Sequence, residues 1–171
     1  MGKDKASLTI RGESLMEKTI RELEAAGYEP VVLGGIPFLG CQHVPDRVAG
    51  SGPLTALREF TPHNGLVFVA SCDLPFFSRH VPAALESLLE GHLACIPLIN
   101  GRLQPLCALY QSSCWTSLVQ EPQMIRVMQW IEGLDAVFPT EEGLEKAGAN
   151  PLHLRSANTP EELQALLALG E

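Results

Sequence analysis

The sequence predicts an α/β domain built on a mostly parallel sheet. Three observations carry this. Helix-like and strand-like apolar segments alternate along the chain, the order that winds helices around a parallel sheet. The run Leu66-Val67-Phe68-Val69-Ala70 is apolar without alternation, so both of its faces should be covered, as in a central parallel strand. The length, 171 residues with 46% hydrophobic and 19% charged residues, suits a single globular domain with its own core.

The elements follow in order. Ser14 to Ala26 reads as a helix. Ser14-Leu15-Met16-Glu17 fits a capping box, in which hydroxyl and carboxylate each satisfy a free backbone N–H. Leu15, Thr19, Ile20 and Leu23 form its apolar stripe, and Gly27 suits its end. Pro30 to Leu33 is a short strand, broken by Gly34-Gly35. A loop-like stretch runs to Gly52. Pro53 then suits the first turn of a helix carrying Leu54, Leu57 and Phe60. After the strand at 66–70, Ser78 should cap a helix running to about Glu90. Leu93 to Leu98 is a strand, Asn100-Gly101 a turn, and Leu103 to Tyr110 a strand in which Pro105 marks an edge or bulge. Met124, Val127, Met128 and Ile131 mark a helix near 122–132, with both methionines expected in the core. Ala136-Val137-Phe138 is a short strand. Thr159 caps the last helix, with Pro160 in its first turn.

Composition narrows the function. Twelve Lys and Arg against twenty Asp and Glu leave a net charge of −8, which argues against a nucleic-acid-coating protein. It leaves room for a nucleotide site, since one Lys and a bound Mg²⁺ can hold phosphates on an acidic chain. No apolar run is long enough to cross a bilayer, and the first residues show no apolar signal region. The five cysteines form no Cys-x-x-Cys pair, which points to reduced thiols and a cytoplasmic setting.

Asp73 is the most informative position. It follows the most apolar strand, and open α/β sheets bind ligands at the carboxyl ends of their strands. A carboxylate there either holds Mg²⁺ against phosphates or caps the turn into the next helix. Lys5 is a solvated terminal lysine or a phosphate-binding cation. Gly50-Ser51-Gly52-Pro53-Leu54 leads into a helix, where glycines let a ligand approach the backbone. Asp46 is by position a loop carboxylate. The histidines assemble no catalytic set with each other or with Ser, Asp or Cys. Trp115 and Trp130 are expected in the core.

Together these segments resemble the molybdenum cofactor guanylyltransferases. Gly2-Lys3-Asp4-Lys5-Ala6 is similar to the end of that family's Gly-rich signature. Asp46 followed by Gly52-Pro53-Leu54 is similar to its Asp before a Gly-Pro-Leu turn. Cys72-Asp73-Leu74-Pro75 resembles its metal-binding strand end, Gln104 to Tyr110 a later strand, and Asn158-Thr159-Pro160-Glu161-Glu162-Leu163 its C-terminal signature. The resemblance implies a Rossmann-like, three-layer nucleotidyltransferase fold. It implies an Mg²⁺-dependent enzyme that joins GMP from GTP to molybdopterin and releases pyrophosphate. Lys5 would contact the GTP phosphates, Asp46 the base or ribose, and Asp73 the Mg²⁺. Gly52 and Pro53 would shape the wall beside the reacting groups, and Asn158 would lie near the pterin. Lys5 and Asp73 would be the catalytic pair. Partners would be the two substrates and, beyond them, cofactor-delivery proteins or molybdoenzymes.

Three departures qualify the resemblance. The family opens on an apolar strand and a Leu-Ala-Gly-Gly-type loop ahead of the Lys, whereas this sequence starts at Met1-Gly2, inside that signature. A sheet without that strand should keep unpaired inner edges or rearrange. A misplaced start, a decayed gene and complementation by a partner chain are the explanations open at this point. Leu33-Gly34-Gly35 stands where the family often carries Asn, which opens the choice between guanine and cytosine. Ser156 replaces a further Asn near the pterin. The alternative functions are a cytidylyl-transferring relative and a non-catalytic remnant or adaptor in cofactor delivery.

Overall fold

The structure is a computed structural model that describes residues 9–10, 12–48, 50, 52–157 and 159–169. Two short strands, β1 (Thr9–Ile10) and β2 (Glu13–Ser14), pair antiparallel and lead into helix α1 (Leu15–Ala25). The expected capping box is present: the Ser14 hydroxyl accepts from the Glu17 N–H at 3.1 Å, and the Glu17 carboxylate accepts from the Ser14 N–H at 2.7 Å. Strands β3 (Val31–Leu33) and β4 (Gln42–Val44) pair in parallel. The sequence reading places β4 inside a loop, because three residues between Gly40 and Pro45 show no periodicity. Helix α2 (Pro53–Glu59) then precedes β5 (Leu66–Ala70).

After β5 come helix α3 (His80–Leu88), strands β6 (Ala94–Cys95), β7 (Leu98–Ile99), β8 (Arg102–Leu103) and β9 (Cys107–Gln111), and helices α4 (Trp115–Gln120) and α5 (Val127–Glu132). Strand β10 (Ala136–Val137) and helices α6 (Glu141–Lys146) and α7 (Pro160–Leu167) complete the chain. Helix α3 starts at His80 after Arg79, and Ser78 opens it as expected: its hydroxyl accepts from the His80 N–H at 3.4 Å and its carbonyl from the Val81 N–H at 3.0 Å. Thr159 does cap α7, its hydroxyl accepting from the Glu162 N–H at 3.1 Å. Asn100 and Gly101, at φ 49° and 71°, turn the β7–β8 hairpin, the geometry of the primed hairpin turns. Pro105 lies between β8 and β9 rather than within a strand, where its missing N–H breaks no ladder.

The main sheet has four strands in the order β10-β6-β9-β5. Strand β10 runs parallel to β6, and β9 runs antiparallel to both β6 and β5. Three of the four strands therefore share one direction and β9 is reversed. The reversal follows from the connection. The segment between β6 and β9 is spent on the β7–β8 hairpin, with no crossover helix to return the chain for a parallel pairing. Strand β5 is thus flanked by an antiparallel neighbour, not by the parallel ones its sequence suggested. Its other edge, and one edge of β3, carry no strand among the described residues.

Side chains of the sheet alternate between two cores, which makes the fold three-layered. Cys95, Cys107, Leu109 and Phe68 face one side, where Leu23 of α1, Val81 and Leu85 of α3, Leu144 of α6, and Phe77 from the turn before α3 pack. Ala94, Ala108, Tyr110, Val67 and Val69 face the other, packed by Leu54 and Leu57 of α2, Trp115 and Leu118 of α4, and Trp130 and Ile131 of α5. Tyr110 stacks on Trp130 with ring centroids 4.8 Å apart, and Trp115 meets Trp130 edge-on at 5.4 Å. Met124 is buried as expected, but Met128 is 42% exposed and lies outside the core. Its place one residue after the buried Val127 turns it to the solvent side of a helix of only six residues.

One charged network ties α1 to the start of α3. Glu22 is buried, and its carboxylate accepts from the Arg79 Nε–H at 3.0 Å and the Arg79 backbone N–H at 3.1 Å, with Arg21 at 2.6 Å. The hydrogen bonds from Arg79 outweigh desolvation and hold the carboxyl down at about 2. A depressed folded-state value gives stability that is present above the ordinary carboxyl range and lost as pH falls toward 2. We expect the chain to lose about 1–3 kcal/mol over that window, and Glu22→Gln to remove most of the change, read by urea unfolding at pH 7 and pH 3. An unchanged acid limb in Glu22→Gln would remove this pair as its source.

Candidate active site

The end of β5 is held from both sides. Leu74 and Phe77 are 2% and 1% exposed, and the Phe77 N–H donates to the Leu74 carbonyl at 3.2 Å. These buried anchors fix the turn that carries Asp73. The Asp73 carbonyl accepts from the Ala157 N–H at 2.8 Å, so the segment before α7 is tied to the same turn. Asp73 itself is half-buried. Its Oδ1 accepts from the Ser71 hydroxyl at 2.6 Å. Among the described residues Oδ2 has no hydrogen-bond partner. Beside it Cys107, which pairs with Ala70 across the ladder, is fully enclosed. Burial, and then the Asp73 charge, push its thiol well above the usual range, so it is an inert neighbour and not a nucleophile.

Asp46 lies beyond β4 and is exposed. Its Oδ2 accepts from the Gly35 N–H at 3.3 Å. Gly34 has φ +68°, its N–H donates to the Val44 carbonyl at 2.8 Å, and its carbonyl lies 3.0 Å from His43 Nε2. A Cβ at Gly34 would sit 2.6 Å from Asp46 Oδ1. The carboxylate therefore rests directly on glycine backbone, and the ends of β3 and β4 form one compact turn around it. The sequence alone shows Gly34-Gly35 only as a strand break and assigns no role to His43. The glycine pair is the available signal, but its meaning depends on Asp46 returning to it through the β4 pairing. We expect Gly34→Ala to strain the backbone and displace Asp46, costing about 1–3 kcal/mol in denaturant unfolding. A loss under about 0.5 kcal/mol would mean that the turn re-forms without the close approach.

Gly52 and Pro53 open α2. Gly52 has φ 85°, a left-handed backbone that favours glycine, and Pro53 follows at the first helical position. Both are exposed. Lys5 and Asn158 lie outside the described residues. Among the described residues no hydrogen bond or ion pair joins Asp46 to Asp73; they stand at the ends of different strands. No group of three His, Cys, Asp or Glu side chains converges as a metal cage among the described residues. A hard cation at Asp73 would therefore take most of its oxygens from a ligand, as Mg²⁺ commonly does with phosphates. The donor set fits that use, with a carboxylate oxygen at a strand end that has no partner among the described residues. A surface groove of about 700 Å³ between α1 and the 38–41 loop is lined by none of the expected site residues among the described residues.

Comparison with known proteins bears on the family and the fold. Residues 1–143 match the model of the MobA-like NTP transferase domain. The chain belongs to this family. A probable molybdenum cofactor guanylyltransferase of Pelotomaculum thermopropionicum is 25% identical over 181 residues, covering all of this chain and 87% of the relative. One from Clostridium perfringens is 32% identical over 119 residues, covering 66% of this chain and 59% of the relative. Among solved structures, molybdopterin-guanine dinucleotide biosynthesis protein A from Archaeoglobus fulgidus superposes with a TM-score of 0.72 at 22% identity, over 99% of this chain and 91% of that one. The 2-C-methyl-D-erythritol 4-phosphate cytidylyltransferase of Thermus thermophilus superposes with a TM-score of 0.70 at 16% identity, over 97% of this chain and 93% of that one. At these identities the two structures establish the fold. The α/β nucleotidyltransferase architecture of this MobA-like chain matches the expectation from sequence, and no helix among the described residues is long and apolar enough to cross a membrane.

Proposed function

We propose that this chain transfers GMP from GTP to the terminal phosphate of molybdopterin, forming the guanine dinucleotide cofactor and releasing pyrophosphate. The observation that carries the reading is Asp73. Its half-buried carboxylate stands at the carboxyl end of β5, anchored through Ser71, with one oxygen that has no partner among the described residues, in a chain of an NTP transferase family. The names of the Pelotomaculum and Clostridium relatives support the substrate pair.

In this reading an oxygen of the acceptor phosphate attacks the α-phosphorus of GTP. The new P–O bond forms as the bond to the α–β bridging oxygen breaks, and pyrophosphate leaves with the electron pair. The attacking oxygen is already anionic, so no side chain has to remove a proton from it. The chain's own work is alignment and charge. Lys5 pairs with the GTP phosphates, Asp46 holds the nucleoside, Gly52 and Pro53 wall the reacting groups, and Asn158 meets the pterin. Asp73 holds Mg²⁺, which when bound neutralises phosphate charge. The five free cysteines suit a reducing, cytoplasmic setting, with cofactor-delivery proteins or molybdoenzymes as downstream partners.

The test is a transfer assay with α-labelled GTP or CTP, molybdopterin and Mg²⁺. Label from GTP should enter the cofactor with release of one pyrophosphate. Preferential transfer from CTP would replace the reading with that of a cytidylyltransferase. Absence of transfer from either would make the chain the non-catalytic alternative.

A further inference from the structure

The backbone of the turn after β5 is held at several points, and the Asp73 side chain at one. The Asp73 carbonyl accepts from the Ala157 N–H at 2.8 Å, and the Leu74 carbonyl from the Phe77 N–H at 3.2 Å. The Lys18 ammonium of α1 donates to the Pro75 carbonyl. Leu74 and Phe77 are buried in the core beneath. None of these bonds reaches the Asp73 carboxylate. Among the described residues that carboxylate has a single hydrogen bond, donated by the Ser71 hydroxyl to Oδ1 at 2.6 Å. The length is that of a hydroxyl donating to an ionised oxygen. Ser71 is itself well placed to hold it. It directly follows β5, whose last residue, Ala70, is fixed by its pairing with Cys107.

The terminal torsion of an aspartate is broad, so a carboxylate without a partner turns about its last bond. The Ser71 hydroxyl fixes that torsion. By engaging Oδ1 it also leaves Oδ2 as the oxygen with no partner among the described residues. A small cation that demands near-ideal octahedral geometry gains from an oxygen that is already aimed, and groups bonded to a ligating carboxylate supply that aim. A serine that served only the turn would bond nearby backbone groups, as Ser and Thr commonly do. Among the described residues this hydroxyl bonds the carboxylate alone. We propose that Ser71 is a positioning residue for nucleotide transfer, its hydroxyl orienting the Asp73 carboxylate so that Oδ2 is offered to the cation that accompanies the nucleotide phosphates. This rests on the transfer reading above and extends it to a residue outside the expected site set. Ser71 acts through Asp73 and touches neither nucleotide nor cation.

The full chain is titrated with GTP by calorimetry, once with a chelator and once with excess Mg²⁺, and the ratio of the two affinities is the gain due to the cation. Ser71→Ala is expected to cut this gain about tenfold, the lower end of the range for removing a group bonded to a metal-holding side chain. GTP affinity without Mg²⁺, and the midpoint of thermal unfolding, should not change, because the turn keeps its backbone bonds. Ser71→Thr keeps the hydroxyl and should restore most of the gain. On an Asp73→Asn background, Ser71→Ala should change GTP affinity with Mg²⁺ by less than about twofold, since its effect passes through Asp73. In the transfer assay Ser71→Ala should raise the Mg²⁺ concentration for half-maximal rate and lower kcat at saturating Mg²⁺ much less. An unchanged gain in Ser71→Ala, or the same loss on the Asp73→Asn background, would overturn the positioning role and leave the transfer reading intact. A lower kcat with unaltered Mg²⁺ dependence would overturn it too, making Ser71 a residue of the fold. The expected affinities in a chain that transfers no nucleotide would keep Ser71 at a nucleotide–cation site and end its part in transfer.

Discussion

Asp73→Asn is expected to lower kcat/KM for nucleotide transfer by at least about a hundredfold while leaving the fold unchanged. The side chain keeps its size, and the amide oxygen can still accept from the Ser71 hydroxyl that now sits 2.6 Å from Oδ1. What disappears is the charge of the oxygen that has no partner among the described residues, the part available to a cation. The loss should therefore persist at saturating GTP and should shrink as Mg²⁺ is raised. Steady-state pyrophosphate release over an Mg²⁺ series checks this, with thermal unfolding as the control. The same turnover as the unaltered chain at every Mg²⁺ concentration of the series would remove Asp73 from the reaction.

Trp130→Ala is expected to cost about 3–5 kcal/mol, the range for deleting a buried tryptophan. The ring is 1% exposed, stacks on Tyr110, meets Trp115 edge-on, and donates from Nε1 to the Ser117 hydroxyl at 3.1 Å. Its removal opens a cavity between the sheet and α4 and takes away the bond to Ser117, whose hydroxyl keeps only its own donation to the Cys114 carbonyl at 2.8 Å. Against a total stability of about 5–15 kcal/mol, the midpoint of thermal unfolding should fall by roughly 6–20 °C. Denaturant and thermal unfolding measure it. A cost below about 1 kcal/mol would mean that α5 collapses onto the sheet and the aromatic cluster is not what holds this layer.

The elements with strong local signals were legible in the sequence. The α1 capping box, the Asn100-Gly101 hairpin, the Pro53 start of α2 and the Thr159 cap each depend on a few neighbouring residues, and each is present. Strand direction was not legible. The run at 66–70 has its two covered faces, but a strand covered by antiparallel and by parallel neighbours reads the same, and only the short path from β6 to β9 decides between them. The six-residue helices α4 and α6 and the three-residue β4 are too short for periodicity to show.

The site divides in the same way. Asp73 was readable because it directly follows the strand that positions it. Asp46 was readable only through the resemblance, since its seat on Gly34 and Gly35 is made by parallel pairing across a loop.

The most direct test of the nucleotide site is calorimetric titration of the 171-residue chain with GTP, CTP and ATP, each with and without Mg²⁺. Mg²⁺-dependent binding that favours GTP is the expected result, and it should be lost in Asp73→Asn. No binding of any nucleotide, or GTP binding indifferent to both Mg²⁺ and Asp73, would contradict the assignment of the β5 strand end as the site of guanylyl transfer.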